Sequence, residues 1–220
     1  MILNLCSYLG NSPTQGGLPM PRTAAKPARR RAKQARGQQT TAVVLDAAAQ
    51  VLQDEGYAGA TTNRIAERAG VSVGTIYQYF ANKEQIFDTL IRREIAGLLG
   101  LLQRAAFDPD ESITDGLRRL LQLLVQARPD APLLYRALEH VPNALFRLRI
   151  AEARGSVIDW VREFLVSHRS EIRVSDLDVA AFVVVAAAEG VAINASAELY
   201  RERVAEELAM LFTRYLTAGA

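Results

Sequence analysis

Between residues 61 and 83 the chain reads TTNRIAERAGVSVGTIYQYFANK, and its polar groups are spaced to touch a polyanion and read bases. Val73, Gly74 and Thr75 open a segment with almost no charge. Gly74 leaves space for close approach to base edges, and Thr75 offers a hydroxyl beside a methyl that can meet a thymine methyl. Tyr77 and Tyr79 carry hydroxyls beyond apolar rings. Gln78 has the paired donor and acceptor that suit adenine, and reads equally well as a solvated side chain. Lys83 follows a capping residue, Asn82, so its charge adds to the positive end of a helix, a favourable place for phosphate. Thr62 and Asn63 are candidates for phosphate and base contact respectively. No catalytic pair stands among these residues. Their chemistry is that of nucleic-acid recognition.

Two short helices must hold these groups. Thr61 or Thr62 can cap the first, because a hydroxyl there accepts an unpaired backbone N–H. Ile65, Ala66 and Ala69 recur at helical spacing as a narrow apolar stripe. Gly70 supplies the left-handed residue that ends such a helix, and Val71 returns to the corner. A second helix from about Val73 turns Ile76 and Phe80 inward. Two helices of about eight residues with a tight turn form a helix-turn-helix, which sets its second helix in the major groove with its N-terminal residues on base edges.

Periodicity and breakers give the rest of the plan. A helix from about Thr40 to Glu55 ends at Gly56, and a long one runs from Asn82 to about Ala105. Ser112 to Ala127 makes another. Pro129 and Pro132 open a short helix ending near His140, and Pro142 begins one reaching about His168. Ser175 caps a helix to about Ala195, and a last helix continues to Leu216. The fold class is therefore all-α, with about nine helices: an N-terminal three-helix helix-turn-helix DNA-binding domain followed by a C-terminal helical bundle. The expected divisions are a disordered basic arm over 1–38, the DNA-binding domain over 39–85 and a helical domain over 86–220.

The stretch from about Thr40 to Arg93 resembles the DNA-binding domain of the tetracycline-repressor (TetR) family. The matching pieces are Ala47-Ala48 before Gly56-Tyr57, then Thr61-Thr62, Ile65-Ala66, Ala69 to Ser72, Gly74 to Phe80, and Asn82-Lys83-Glu84. The remainder matches that family in architecture only. The resemblance implies that the positions of Tyr77 and Tyr79 touch phosphate and that the last two helices form a homodimer. It also implies that 86–220 is an effector-binding and dimerisation domain, in which a small molecule enters a pocket and shifts the long helix after the motif, changing the separation of the two recognition helices.

The charge is uneven. The first 45 residues hold seven basic residues (Arg22, Lys26, Arg29, Arg30, Arg31, Lys33, Arg36) and no acid, whereas residues 46–220 hold 19 basic against 24 acidic. The arm has too little apolar surface to fold and is expected to be disordered. Beside a helix-turn-helix it can lie along phosphates or enter a minor groove; a solvated tail is the competing reading. The single cysteine, Cys6, and two histidines, His140 and His168, provide neither a disulfide framework nor a zinc site, so no metal and no cofactor are expected. The longest run free of charged and polar groups, 179–188, is too short to span a bilayer. Residues 1–10 lack the basic start of a signal peptide. A cytoplasmic location is expected, with translation starting at Met20.

A single helix-turn-helix reads too few base pairs for genomic specificity, so a dimer on a near-palindromic double-stranded operator is expected. The segment DVAAFVVVAAAEGVAINASAE is apolar nearly all round and rich in small residues, as a helix buried on two sides should be. With the last helix (Val204, Leu208, Leu211, Phe212, Tyr215) it can build a four-helix bundle across a twofold axis. Phe107, Tyr135, His140, Phe146 and Trp160 are the candidate pocket residues, with plain core packing as the competing reading for each, and a hydrophobic effector is expected. Repression is preferred to activation, because occluding a promoter needs no contact with polymerase. The rival functions are a nonspecific nucleoid-type protein working through the arm, and an all-helical enzyme. The enzyme reading lacks paired carboxylates, a phosphate loop and a partner for His140.

Overall fold

The computed structural model describes residues 25–105, 108, 110–127, 143–194 and 203–218. Regular structure among them is entirely helical: α1 (Ala25–Gly59), α2 (Thr62–Ala69), α3 (Val73–Tyr77), α4 (Lys83–Arg104), α5 (Ile113–Ala127), α6 (Ala144–Ser167), α7 (Leu177–Asn194) and α8 (Ala205–Thr217). The short helix expected between Pro129 and His140 lies outside the described residues. The chain divides into two compact units between Gln39 and Thr40, and residues 40–220 do not divide again near residue 85.

In the first unit α1 already begins at Ala25, well before the expected start at Thr40, so part of the stretch read as an unstructured arm is helical. From Ala28 to Arg36 every residue is Ala, Arg, Lys or Gln, all strong helix formers. Pro27 falls in the first turn, where its missing N–H has no helical partner to lose.

In the second unit, Gly56 breaks α1 where the sequence places the stop. Its φ of 68° and ψ of 175° lie in a region essentially reserved for glycine. Val44 and Val51 of α1, Ile65 of α2, Ile76 of α3 and Phe87 and Leu90 of α4 close a first core. Each such fully buried side chain contributes roughly 1.5–3 kcal/mol. Phe146 of α6 enters the same core at 1% exposure. A second core joins α5, α6, α7 and α8 through Leu117, Phe164, Leu165, Ala181, Leu208 and Phe212. Within it α8 packs chiefly along α5, and α7 along α6.

Two helix starts differ from expectation. The Asp176 carboxylate, not the Ser175 hydroxyl, caps α7, accepting the N–H groups of Asp178 and Val179 at 3.0 Å each. Asn143 caps α6 by accepting the Leu145 N–H at 2.9 Å. Both adjacent residues of the first pair are good caps, and the charged one also gains from the helix dipole.

Candidate nucleic-acid interface

The turn that presents the interface is built from local caps. The Thr61 hydroxyl accepts the Arg64 N–H at 3.2 Å and starts α2. Gly70, at φ 65°, ends it in the left-handed region, and the Val71 N–H returns to the Ala66 carbonyl at 3.1 Å. Ser72 then accepts the Thr75 N–H at 3.0 Å and starts α3. At 5 residues α3 is shorter than expected. Phe80 must drop into the core, and Asn82 must be extended (φ −160°) to cap α4 by accepting the Gln85 N–H at 2.8 Å. The chain therefore turns at Gln78 and Tyr79, with the N–H groups of Tyr79 and Phe80 both reaching the Ile76 carbonyl at 2.9 Å.

Ile65 and Ile76, fully buried, are the floor under this turn. Above it Asn63, Gly74, Tyr77, Gln78 and Tyr79 are exposed, while Thr62, Val73 and Thr75 are half-buried. The Tyr77 and Thr62 hydroxyls stand 3.5 Å apart, so the start of α2 and the end of α3 offer neighbouring polar tips. Thr75 Oγ1 lies 2.8 Å from Ser72 Oγ. A Cβ on Gly74 would meet only Ser72 Oγ, at 3.7 Å, an ordinary contact. Nothing inside the fold requires a glycine there.

Lys83 stands apart from the other candidates. Its Nζ donates to the Tyr57 carbonyl at 2.9 Å and sits 4.1 Å from the centre of the Tyr57 ring, tying the start of α4 to the residue after Gly56. An ammonium has three donors, so one is engaged internally and two remain. Burial, foremost, and the Glu84 carboxylate push the Tyr57 phenol above its ordinary range. The arginines of α2 are also engaged. Arg64 pairs with Glu55 at 3.2 Å and Glu67 at 3.1 Å, and Arg68 with Asp54 at 2.9 Å. Residues 40–93 carry five basic and six acidic side chains, so the interface domain has no positive excess of its own.

An apolar cavity of about 140 Å³ lies in the helical domain. Leu98 and Leu102 of α4, Leu117 of α5, Val161 of α6, Val184 of α7 and Phe212 of α8 represent its walls, and Glu189 is the charged residue among the described lining. Glu189 is ion-paired with Arg154 of α6. Of the expected pocket residues, Phe107, Tyr135 and His140 lie outside the described residues. Phe146 does not line this cavity: it packs edge-on to Tyr57, 6.4 Å between ring centres, in the first core. Trp160 does not line it either, but stacks on Phe164, which does, with centres 6.1 Å apart and planes within 2°. The aliphatic lining carries no chemical marker that would single it out in the sequence.

One further contact joins α6 to α4. Arg149 Nε donates to Asp88 at 2.5 Å, and Asp88 also accepts from Arg92 at 2.8 Å. Burial alone would raise the Asp88 carboxyl, but the bonds from Arg92 and Arg149 outweigh it and hold the group below its ordinary range. Among the described residues no group of three or more metal-binding side chains gathers, and no helix is long and apolar enough to cross a membrane.

Residues 44–90 match the family model of bacterial regulatory proteins, tetR family, and residues 112–216 match that of the tetracyclin repressor-like C-terminal domain. The fatty acid metabolism regulator protein of Bacillus subtilis is 42% identical over 52 residues, which are 24% of this chain and 27% of that protein. The chain thus spans only about a quarter of that relative's length. A transcriptional regulator from Rhodococcus sp. RHA1 shares the fold with a TM-score of 0.67 at 19% identity, over 80% of this chain and 95% of that one. The regulator FadR from Bacillus subtilis, solved with stearoyl-CoA, superposes with a TM-score of 0.60 at 21% identity, over 81% and 98%. At these identities the structures show the fold alone. The two family models cover more than half of the chain between them, and their order along it is that of the two cores: the chain belongs to the TetR family of bacterial regulatory proteins, a family of regulators and not of enzymes.

Proposed function

We propose that the chain is an effector-responsive transcriptional repressor. It binds a near-palindromic operator as a homodimer and is released by an apolar small molecule. The observation that carries this reading is the reach of α4. Its 22 residues extend about 33 Å, with Phe87 and Leu90 in the core beneath the interface and Leu98 and Leu102 in the wall of the cavity. A ligand in the cavity touches the helix whose other end packs beneath the DNA-reading turn, and the two sites are coupled to the extent that this contact differs between the DNA-bound and released conformations.

In this reading Gly74 and Thr75 approach base edges, with Val73, Asn63 and Gln78 beside them. Thr62, Tyr77 and Tyr79 meet phosphate, and Lys83 supplements them with the donors its bond to Tyr57 leaves over. The dimer uses α7 and α8. Val179, Phe182 and Val183 on α7, and Met210, Leu211 and Tyr215 on α8, are each more than a third exposed in the single chain. Those are the apolar side chains a partner would cover. A cytoplasmic location belongs to the same reading.

The lining of the cavity supports an apolar effector. Its size is close to that of engineered apolar cavities of about 150 Å³ that take up benzene. As it stands it holds a short apolar group. A long acyl tail, such as the FadR relative carries, would have to spread the walls, α4 among them. The test is fluorescence anisotropy on the duplex upstream of the chain's own gene against a shuffled duplex, titrated with straight-chain fatty acids of increasing length. Preference for the upstream duplex, lost as ligand is added, supports the reading. Trp160, the only tryptophan, reports occupancy through its stacking on Phe164. A Trp160 response with unchanged DNA binding would refute effector control.

A further inference from the structure

Duplex DNA is a dense polyanion, and most of the affinity of its binders comes from neutralising phosphates. The domain that carries the helix-turn-helix supplies little of that. Its six acids outnumber its five bases, Arg64 and Arg68 are paired with Glu55, Glu67 and Asp54, and Lys83 is bonded to Tyr57. The positive charge of the chain is concentrated instead between Arg22 and Arg36, where there is no acid at all.

The structure adds what the sequence reading lacked, a helix beginning at Ala25. At 3.6 residues per turn, positions 26, 29, 30, 33 and 36 fall within an arc of roughly 120° on one side of that helix. All five are Lys or Arg: Lys26, Arg29, Arg30, Lys33 and Arg36. Ala28, Ala32 and Ala35 hold the opposite side, and Arg31 alone among the bases from Lys26 to Arg36 falls outside the arc. From position 26 to position 36 the helix rises about 15 Å, a span that faces about four phosphates of one strand. An unfolded cationic tail would spread its charges without register. A helix gives their positions one side and a fixed spacing.

We propose that the helical segment from Lys26 to Arg36 is a DNA-backbone site in its own right, binding duplex phosphate without regard to sequence. It rests on the reading that the chain binds DNA. The segment supplies affinity and salt dependence, and the helix-turn-helix supplies discrimination, because phosphate contacts position a protein and base contacts specify its site.

Three full-length proteins test it on two labelled duplexes, the DNA upstream of the chain's own gene and a shuffled sequence of equal length, across a salt series. The first is the unaltered chain. The second carries Lys26→Gln, Arg29→Gln, Arg30→Gln, Lys33→Gln and Arg36→Gln, which keep helix propensity. The third exchanges residues (Ala28→Arg with Arg30→Ala, Lys33→Gln with Gln34→Lys), preserving composition and net charge while distributing the cations all round the helix. If all five positions neutralise phosphates, the glutamine variant loses up to about 4.5 from its salt slope per chain. Its affinity falls by a similar factor on both duplexes, so its preference between them is kept. The exchanged variant falls between the other two.

An unchanged slope in the glutamine variant overturns the proposal. So does an exchanged variant that binds as the unaltered chain does, since charge without register would then suffice. Failure of the unaltered chain to bind either duplex overturns the DNA reading, and this site with it. Loss of binding to the upstream duplex alone would make the segment a sequence reader, which also contradicts it.

Discussion

Gly74→Ala separates folding from recognition more cleanly than any other change at the interface. A Cβ at this position meets only Ser72 Oγ at 3.7 Å, so the fold has room for it. Replacing a helical glycine by alanine removes backbone freedom from the unfolded chain and gains roughly 0.5–1 kcal/mol. For a chain of this size that raises Tm by about 1–4 °C. At a close-packed base edge the same methyl is an overpacking defect, which costs about 1–3 kcal/mol per contact. That is tenfold or so at each half-site, and a dimer meets it twice. Thermal unfolding by circular dichroism, paired with anisotropy on the upstream duplex, reads both effects from one preparation. Equal or higher Tm with weakened binding is the expected result. Unchanged DNA affinity would show that Gly74 is not pressed against the bases. A fall in Tm would show that the space around it has been misjudged.

Three other changes probe the scaffold. Phe146→Ala empties a fully buried site in the core beneath the interface and is expected to cost about 3–5 kcal/mol in urea unfolding; a loss under about 1 kcal/mol, the range of surface substitutions, would place the ring outside that core. Gly116→Ala puts a Cβ 3.0 Å from the Phe164 ring, which must shift, so Trp160 emission should change and stability should fall by about 1 kcal/mol; identical emission would mean the ring did not move. Asp88, held below its ordinary range by Arg92 and Arg149 against the effect of burial, stabilises the fold above its unfolded value near 4, and that contribution is lost as pH falls through its lower folded value. Between about pH 5 and 3 the unaltered chain should therefore lose more stability than Asp88→Asn; parallel losses would remove Asp88 from the account.

What the sequence made legible was local. Thr61, Gly70 and Asn82 sit at the helix ends because a cap needs only its own few neighbours, and Gly56 interrupts α1 because its backbone conformation admits little else. What it hid was decided at a distance. The stop after Tyr77 follows from the pull of Phe80 into the core and the cap at Asn82, two demands on a four-residue stretch that periodicity does not register. Asp176 and Ser175 are both good caps, and only the geometry chooses between them. Phe146 and Trp160 attract attention as pocket residues because aromatic rings are conspicuous, yet periodicity cannot say which core a buried ring joins. The cavity is walled by leucines and valines that look like any other helical seam. The basic segment read as unstructured for lack of apolar surface, while its Ala, Arg, Lys and Gln residues favour helix on their own.

The place of Phe146 bears on how regulators of this shape can be recombined. A DNA-reading head cut after residue 85 would leave behind Ile86, Phe87, Leu90 and Ile91 as well as a plug donated by a helix some sixty residues further on, all members of one core. Such a fragment is unlike a bead on a string. Its interior is completed by the body it is meant to be separable from. Exchanging heads between two such proteins therefore calls for a matched pair, the incoming head together with the residue that α6 inserts into it, and joining sequences at the visible boundary alone would leave a hole in the graft.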